Sequence, residues 1–223
     1  MLRRRRDGKL MNKCPLLSRR TRIAEIDNRE PQSSDDANRL GMRPRQGDRI
    51  ATVEALKDVI IRAEAPPDYS MIRQVNETAF GTAEEADLVE ALRAEGVVLL
   101  SVVAELDKGI VGHILFSRMS IETPTEAVAA VALAPMAVLP RYQRQGIGGR
   151  LIRYGVDRLR GLGERIVIVV GHPTYYPRFG FSTEQARSLD SPFPTDAFMA
   201  LELSQGALDR IRGRVRYPAP FGI

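Results

Sequence analysis

The sequence predicts an α/β domain: a mixed, mainly antiparallel sheet flanked by helices. Three observations carry that expectation. Two apolar, β-branched runs, 97–106 and 110–119, are separated only by Asp107-Lys108-Gly109, as in a hairpin. The run "RIVIVV" at 165–170 is near-continuously β-branched, as is typical of a strand buried on both faces. Between them lies one strand–helix–strand crossover whose helix opens on Gly146, Gly148 and Gly149.

The elements follow in order. Residues 1–56 carry 14 Lys/Arg against 8 Asp/Glu, whereas the remaining residues carry 19 against 20, so the net charge of +5 belongs to the head. Arg, Asn, Ser, Asp and Pro dominate that head and no apolar periodicity is sustained, which predicts a basic, disordered extension, with Met42 an alternative start. No apolar core follows its arginines, so it does not read as a secretory signal. A basic arm can contact nucleic acid electrostatically, but no aromatic residue occurs among the first 50 to stack on bases.

From Val59 the texture becomes that of a folded domain. Residues 59–65 predict a strand ended by Pro66-Pro67, and Asp68 a helix start ahead of Ile72, Val75 and Ala79. Thr82 and Glu85 have capping-box spacing for a second helix bearing Leu88, Ala91 and Leu92. The hairpin follows, then a strand at 127–138. The glycine-opened helix places Leu151, Ile152, Val156, Leu159 and Leu162 on one side and ends near Gly163. After strand 165–170 come a short helix within 172–180 and strands near 181–185 and 197–204. The C-terminal "RIRGRVRYPAPF" reads equally as a basic patch or as a final edge strand with solvated arginines. The expected division is a 1–56 extension, a 57–205 domain and a 206–223 segment packing on or extending it.

Composition excludes several functions. No run approaches the roughly 18 apolar residues of a membrane span. The single cysteine, Cys14, precludes an internal disulfide and fits a reducing, cytoplasmic setting. With only His113 and His172 besides, no metal site is expected.

The glycine loop carries the chemistry. N–H groups at a helix start lack partners within the helix and sit at its positive dipole end. Glycines let a phosphate approach them. The stretch Gln143-Arg144-Gln145-Gly146-Ile147-Gly148-Gly149, with Arg141 and Arg150 beside it, is thus suited to a pyrophosphate. A turn that only tightens strand–helix packing would look the same. No Walker lysine follows, and Leu151 breaks the dinucleotide fingerprint. Pro135 within the preceding strand implies a bulge or an edge, which would release backbone groups of Met136, Ala137 and Val138. An extended amide arm along those groups, continuing into a pyrophosphate on the helix, describes coenzyme A.

At this point the sequence resembles the GNAT superfamily of N-acetyltransferases. Its Q/R-x-x-G-x-G/A signature is met by Gln143 through Gly148, and its aromatic-Tyr-x-basic-x-Gly-Phe run by Tyr175 through Phe181. Joined to "PFPTDAFMALEL", the second run is similar to the YhbS-like branch of bacterial acetyltransferases. The resemblance covers about 57–205. It implies the GNAT acyl-CoA N-acyltransferase fold, acetyl-CoA as cosubstrate, and acetyl transfer to a primary amine on a small molecule, peptide N-terminus or lysine. It implies too that the Tyr176 hydroxyl donates to the departing sulfur. No base is implied; Glu105, His113, His172 and a water chain stay open, as do the acceptor and the choice between monomer and homodimer. A non-catalytic acyl-CoA sensor is the alternative reading.

Overall fold

The structure, a computed structural model, describes residues 58–223. The expectations placed on the 1–56 extension, with Cys14 and Met42, lie outside the described residues.

Strand β1 (Ile60–Ala63) runs into a 3-10 turn at Pro66–Asp68 and helix α1 (Tyr69–Phe80). Asp68 does not cap α1 with its side chain. Instead its carboxylate turns back to the Ala65 N–H at 2.7 Å and to Arg62 of β1. Helix α2 (Glu84–Ala94) begins after Ala83, so Thr82 and Glu85 meet only side chain to side chain, at 3.2 Å. Strands β2 (Val98–Leu106) and β3 (Gly109–Glu122) form the expected hairpin. Its two-residue turn needs positive φ at both central positions. Asp107 (φ 50°) and Lys108 (φ 64°) take them, and Gly109 is the first strand residue.

Strand β4 (Ala127–Val138), helix α3 (Ile147–Gly161) and β5 (Ile166–Val170) make the crossover. A 3-10 turn at Tyr176–Phe179 and a four-residue helix α4 (Thr183–Ala186) follow, then short β6 (Leu189–Asp190), β7 (Phe198–Glu202) and β8 (Gly213–Arg216). The strand expected near 181–185 is therefore mostly α4. The sheet order is β1-β2-β3-β4-β5-β7, antiparallel except for β4 with β5. β8 pairs with β3 at Ser120–Glu122, beyond the end of β2, and with β6 on its other side. The C-terminal arginines thus sit on a paired strand: Arg216 meets Glu122 and Arg214 meets Asp190.

Alternation along the strands feeds two cores. Val103, Leu115, Ala132 and Ile168 face α1 and α2, with Ile72, Val75, Val89 and Leu92. Val102, Ile114, Phe116, Val131 and Val167 face α3, with Ile147, Leu151, Ile152, Val156 and Leu159. Leu162 falls off that stripe and is exposed. The bulge expected at Pro135 is present. Ile114 pairs with Met136 and Phe116 with Leu133, so Ala134 and Pro135 together oppose Leu115. One extra residue inverts the facing of everything after it. Accordingly Leu133 belongs to the α3 core, but Ala137 to the opposite one.

Candidate active site

The bulge decides what β4 offers. β5 pairs with β4 only from Val131↔Val167 to Leu133↔Val169. Beyond Leu133, β4 continues to Val138 held by β3, while β5 ends at Val170 beside β7. Past Leu133 the β5-side edge of β4 is left without a strand partner among the described residues, and this open edge is the cleft. In an antiparallel ladder, residues alternate between bonding the partner and facing away. Leu139 N–H donates to Val111 O, which puts the Ala137 groups toward His113 of β3. Met136 and Val138 then turn their N–H and C=O groups to the cleft. Of the three residues singled out on this strand, two present backbone there; Ala137 does not. Gln143 Nε2 donates to Val138 O at 2.9 Å, pinning the signature loop to the strand end.

At the mouth of the cleft the chain enters α3 through two left-handed residues, Arg144 (φ 59°) and Gly146 (φ 88°). The first helical bond is Arg150 N–H to Gly146 O at 3.1 Å. The N–H groups of Ile147, Gly148 and Gly149 therefore precede the ladder, as an anion site requires. The Ile147 side chain is core, so only its backbone can serve a ligand. Gln145 Nε2 holds Arg141 O, and its Oε1 is buried without a partner among the described residues. Arg141 stacks on Tyr142, and Arg150 reaches Val59 O, away from the loop.

Gly148 and Gly149 also answer to packing. A Cβ on Gly148 would lie 2.7 Å from Tyr175 Oη, and one on Gly149 3.3 Å from the Phe179 ring. The aromatic loop after β5 thus rests on the first turn of α3. Gly171, at the end of β5, leaves room for the Tyr176 ring, which no side chain there would permit. Tyr176 is 6% exposed and edge-on to Phe181, and burial pushes its phenol well above the ordinary value. The structure so brings together Met136, Val138, the N-terminus of α3 and both tyrosines.

The candidate bases lie elsewhere or are engaged. Glu105 is paired with Arg62 at 2.7 Å, on the β1–β2 side of the sheet. His172 starts the turn carrying the tyrosines: its carbonyl accepts from Tyr175 N–H. Its Nδ1 lies 3.3 Å from Thr174 N and 2.9 Å from Thr174 Oγ1, within the same turn. His113 is fully buried in a polar chain that the sequence did not signal. Asn76 Nδ2 donates to Ile72 O and to His113 Nδ1, which must then be an acceptor. The proton is on Nε2, 2.9 Å from Ser101 Oγ, and that hydroxyl donates to Glu64, itself paired with Arg93. Burial, with Arg93 nearby, lowers the His113 pKa to about 3. With its lone pair occupied, His113 latches α1 to the sheet instead of abstracting protons. Among the described residues no cluster of potential metal ligands occurs, and no helix is long and apolar enough to cross a membrane.

Comparison with known proteins fits this geometry. The profile described as "Acetyltransferase (GNAT) domain" matches residues 99–183. Escherichia coli YhbS, described as an uncharacterized N-acetyltransferase, is 33% identical over 166 residues, 73% of this chain and 98% of YhbS. The chain belongs to the GNAT family of acetyltransferases. A second GNAT relative, the uncharacterized N-acetyltransferase YjhQ of E. coli, is 47% identical over 116 residues, which span 51% of this chain and 64% of YjhQ. Two crystal structures share the GNAT fold. E. coli YhbS in complex with CoA superposes with TM-score 0.70 at 32% identity, covering 74% of this chain and 93% of that one. A Brucella melitensis GNAT acetyltransferase in complex with acetyl-CoA gives 0.62 at 38%, covering 73% and 97%.

Proposed function

We propose that the chain transfers an acetyl group from acetyl-CoA to a primary amine by direct attack on the thioester. The observation that carries this reading is the parting of β4 from β5 with a bare helix N-terminus at the cleft mouth. The outward groups of Met136 and Val138 suit the amides of the pantetheine arm. An N–H among them suits the thioester oxygen as negative charge develops on it. The N–H groups of Ile147, Gly148 and Gly149 suit the diphosphate. That one relative is described in complex with CoA and another with acetyl-CoA supports the choice of cofactor.

In the reaction a neutral amine attacks, the C–N bond forms and the C–S bond breaks. The amine proton leaves through water, since Glu105 is paired with Arg62 and the His113 lone pair is taken by Asn76. The Tyr176 phenol donates to the departing sulfur; burial keeps it protonated, and therefore a donor, at neutral pH. The working unit is 57–205, with 206–223 supplying β8, in the cytoplasm. Calorimetric titration of acetyl-CoA into the full chain tests the reading. Micromolar binding is expected, and Gly148→Trp should abolish it with the circular dichroism spectrum retained. No binding to the unaltered chain would overturn the reading.

A further inference from the structure

The fold uses the ring of Tyr175 but not its hydroxyl. The ring is edge-on to Tyr176 and to Phe179, each with centroids 5.3 Å away, and the Arg178 guanidinium lies 5.3 Å from its centroid. The residue is 5% exposed; Oη makes no hydrogen bond among the described residues and, unlike Tyr217 Oη, is not sealed from solvent.

The direction of that hydroxyl is informative. The Cβ position of Gly148 is 2.7 Å from Tyr175 Oη and 3.6 and 3.7 Å from Met136 Cε and Sδ. Oη therefore stands at the second residue of α3, on the side of the helix start that faces the bulged strand. Gly148 is one of the three residues whose N–H groups precede the helical ladder. Burial pushes the phenol up, against the pull of Arg178 and Arg153, so it is a neutral donor at physiological pH. A donor without an acceptor, beside further donors at a positive helix end, selects an anion able to accept from all of them.

We infer that Tyr175 is a cofactor-binding residue whose Oη–H donates to the diphosphate of acetyl-CoA at the α3 N-terminus. The two adjacent tyrosines then serve different parts of one cofactor, Tyr175 the diphosphate and Tyr176 the sulfur. This rests on the acetyl-CoA reading above.

The test is calorimetric titration of CoA into the full-length chain and its Tyr175→Phe variant, with thermal unfolding of both in the ligand-free state. Phenylalanine keeps every ring contact, so the unfolding midpoint should not fall. CoA affinity should drop roughly ten- to hundredfold, the range of a hydrogen bond to a charged group. Pantetheine, which lacks the diphosphate, should broaden its own NMR lines equally with either protein. Unchanged CoA affinity would overturn the assignment. So would a midpoint that falls in step with affinity, which marks a structural hydroxyl, or an equal loss for pantetheine. If the unaltered chain fails to bind CoA, the cofactor reading fails first, and that titration shows it before any variant is compared.

Discussion

Acid titration of His113 exposes how the site's polar support is built. The imidazole is neutral and sealed in the folded chain, with a pKa of about 3, whereas an unfolded histidine titrates near 6.5. Below about pH 6.5 the unfolded chain takes up a proton that the folded chain refuses, so the equilibrium moves toward unfolding as pH falls. Stability from this residue is therefore complete above 6.5 and lost progressively down to about 3. Each pH unit in that window is worth ~1.4 kcal/mol, so going from pH 7.5 to pH 5 removes about 2 kcal/mol. Carboxylate pairs such as Glu64–Arg93 and Asp68–Arg62 weaken in acid too, but a His113→Gln variant shares them. Urea unfolding of both proteins at pH 7.5, 6 and 5 gives the comparison. The variant should be less stable throughout, having lost the bonds to Asn76 and Ser101, yet should lose about 2 kcal/mol less between the end points. Parallel pH dependences would refute the argument. Should the variant not fold, the His113 ring resonances of the unaltered chain decide instead: they should not titrate between pH 8 and 5.

Two further predictions concern packing and chemistry. Gly155 lies against Phe116, which is fully buried, so close that a Cβ would overlap the ring. Gly155→Ala should destabilise by about 1–3 kcal/mol despite alanine's better helix propensity. Gly161→Ala, in the same helix with nothing near the new methyl, should be neutral or mildly stabilising by urea unfolding. Tyr176→Phe should lower turnover with an accepted amine about a hundredfold, measured as CoA release, with acetyl-CoA affinity within threefold. An unchanged rate would remove Tyr176 from the mechanism.

Much of the fold was legible because its signals are local. The limits of 127–138 follow from one uninterrupted apolar run, and Pro135 announced a bulge because proline cannot donate to a ladder. Errors arose where tertiary contacts overrode a local preference. Asp68 had the composition of a helix cap, but Arg62, brought alongside by β1, took its carboxylate. The sequence predicts a strand near 181–185, yet Ser182 accepts from Gln185 N–H and caps a helix over Thr183–Ala186. In the site, the signature gave the loop, but not that Ala137 would face β3. That depends on which residues of β3 and β4 exchange hydrogen bonds, a matter of register. The chain from Asn76 through His113, Ser101 and Glu64 to Arg93 joins residues from α1, α2, two strands and the loop after β1, and leaves no spacing to read. The aromatic-Tyr-x-basic motif singles out Tyr176, but no local pattern points to the Tyr175 hydroxyl.

The three glycines that open α3 do not all answer to one cause. Gly146 is required by its backbone, since φ of 88° is strained for any other residue. Gly148 and Gly149 adopt ordinary helical geometry and are required by what lies above them, Tyr175 and Phe179. A phosphate cradle and a tight packing joint were rival explanations of the sequence; in the structure they share a surface. The missing side chains bring the loop after β5 down onto the helix start, and they also leave the N–H groups of that start uncovered. β5 ends just before this loop, and α3 precedes β5, so the crossover is clamped at the place where the cleft opens. A larger residue at position 148 would therefore act twice. It would cover the anion site and lift the tyrosine loop from the helix. Loss of cofactor affinity there has to be read beside Tyr175→Phe, which removes one hydroxyl and leaves the joint closed.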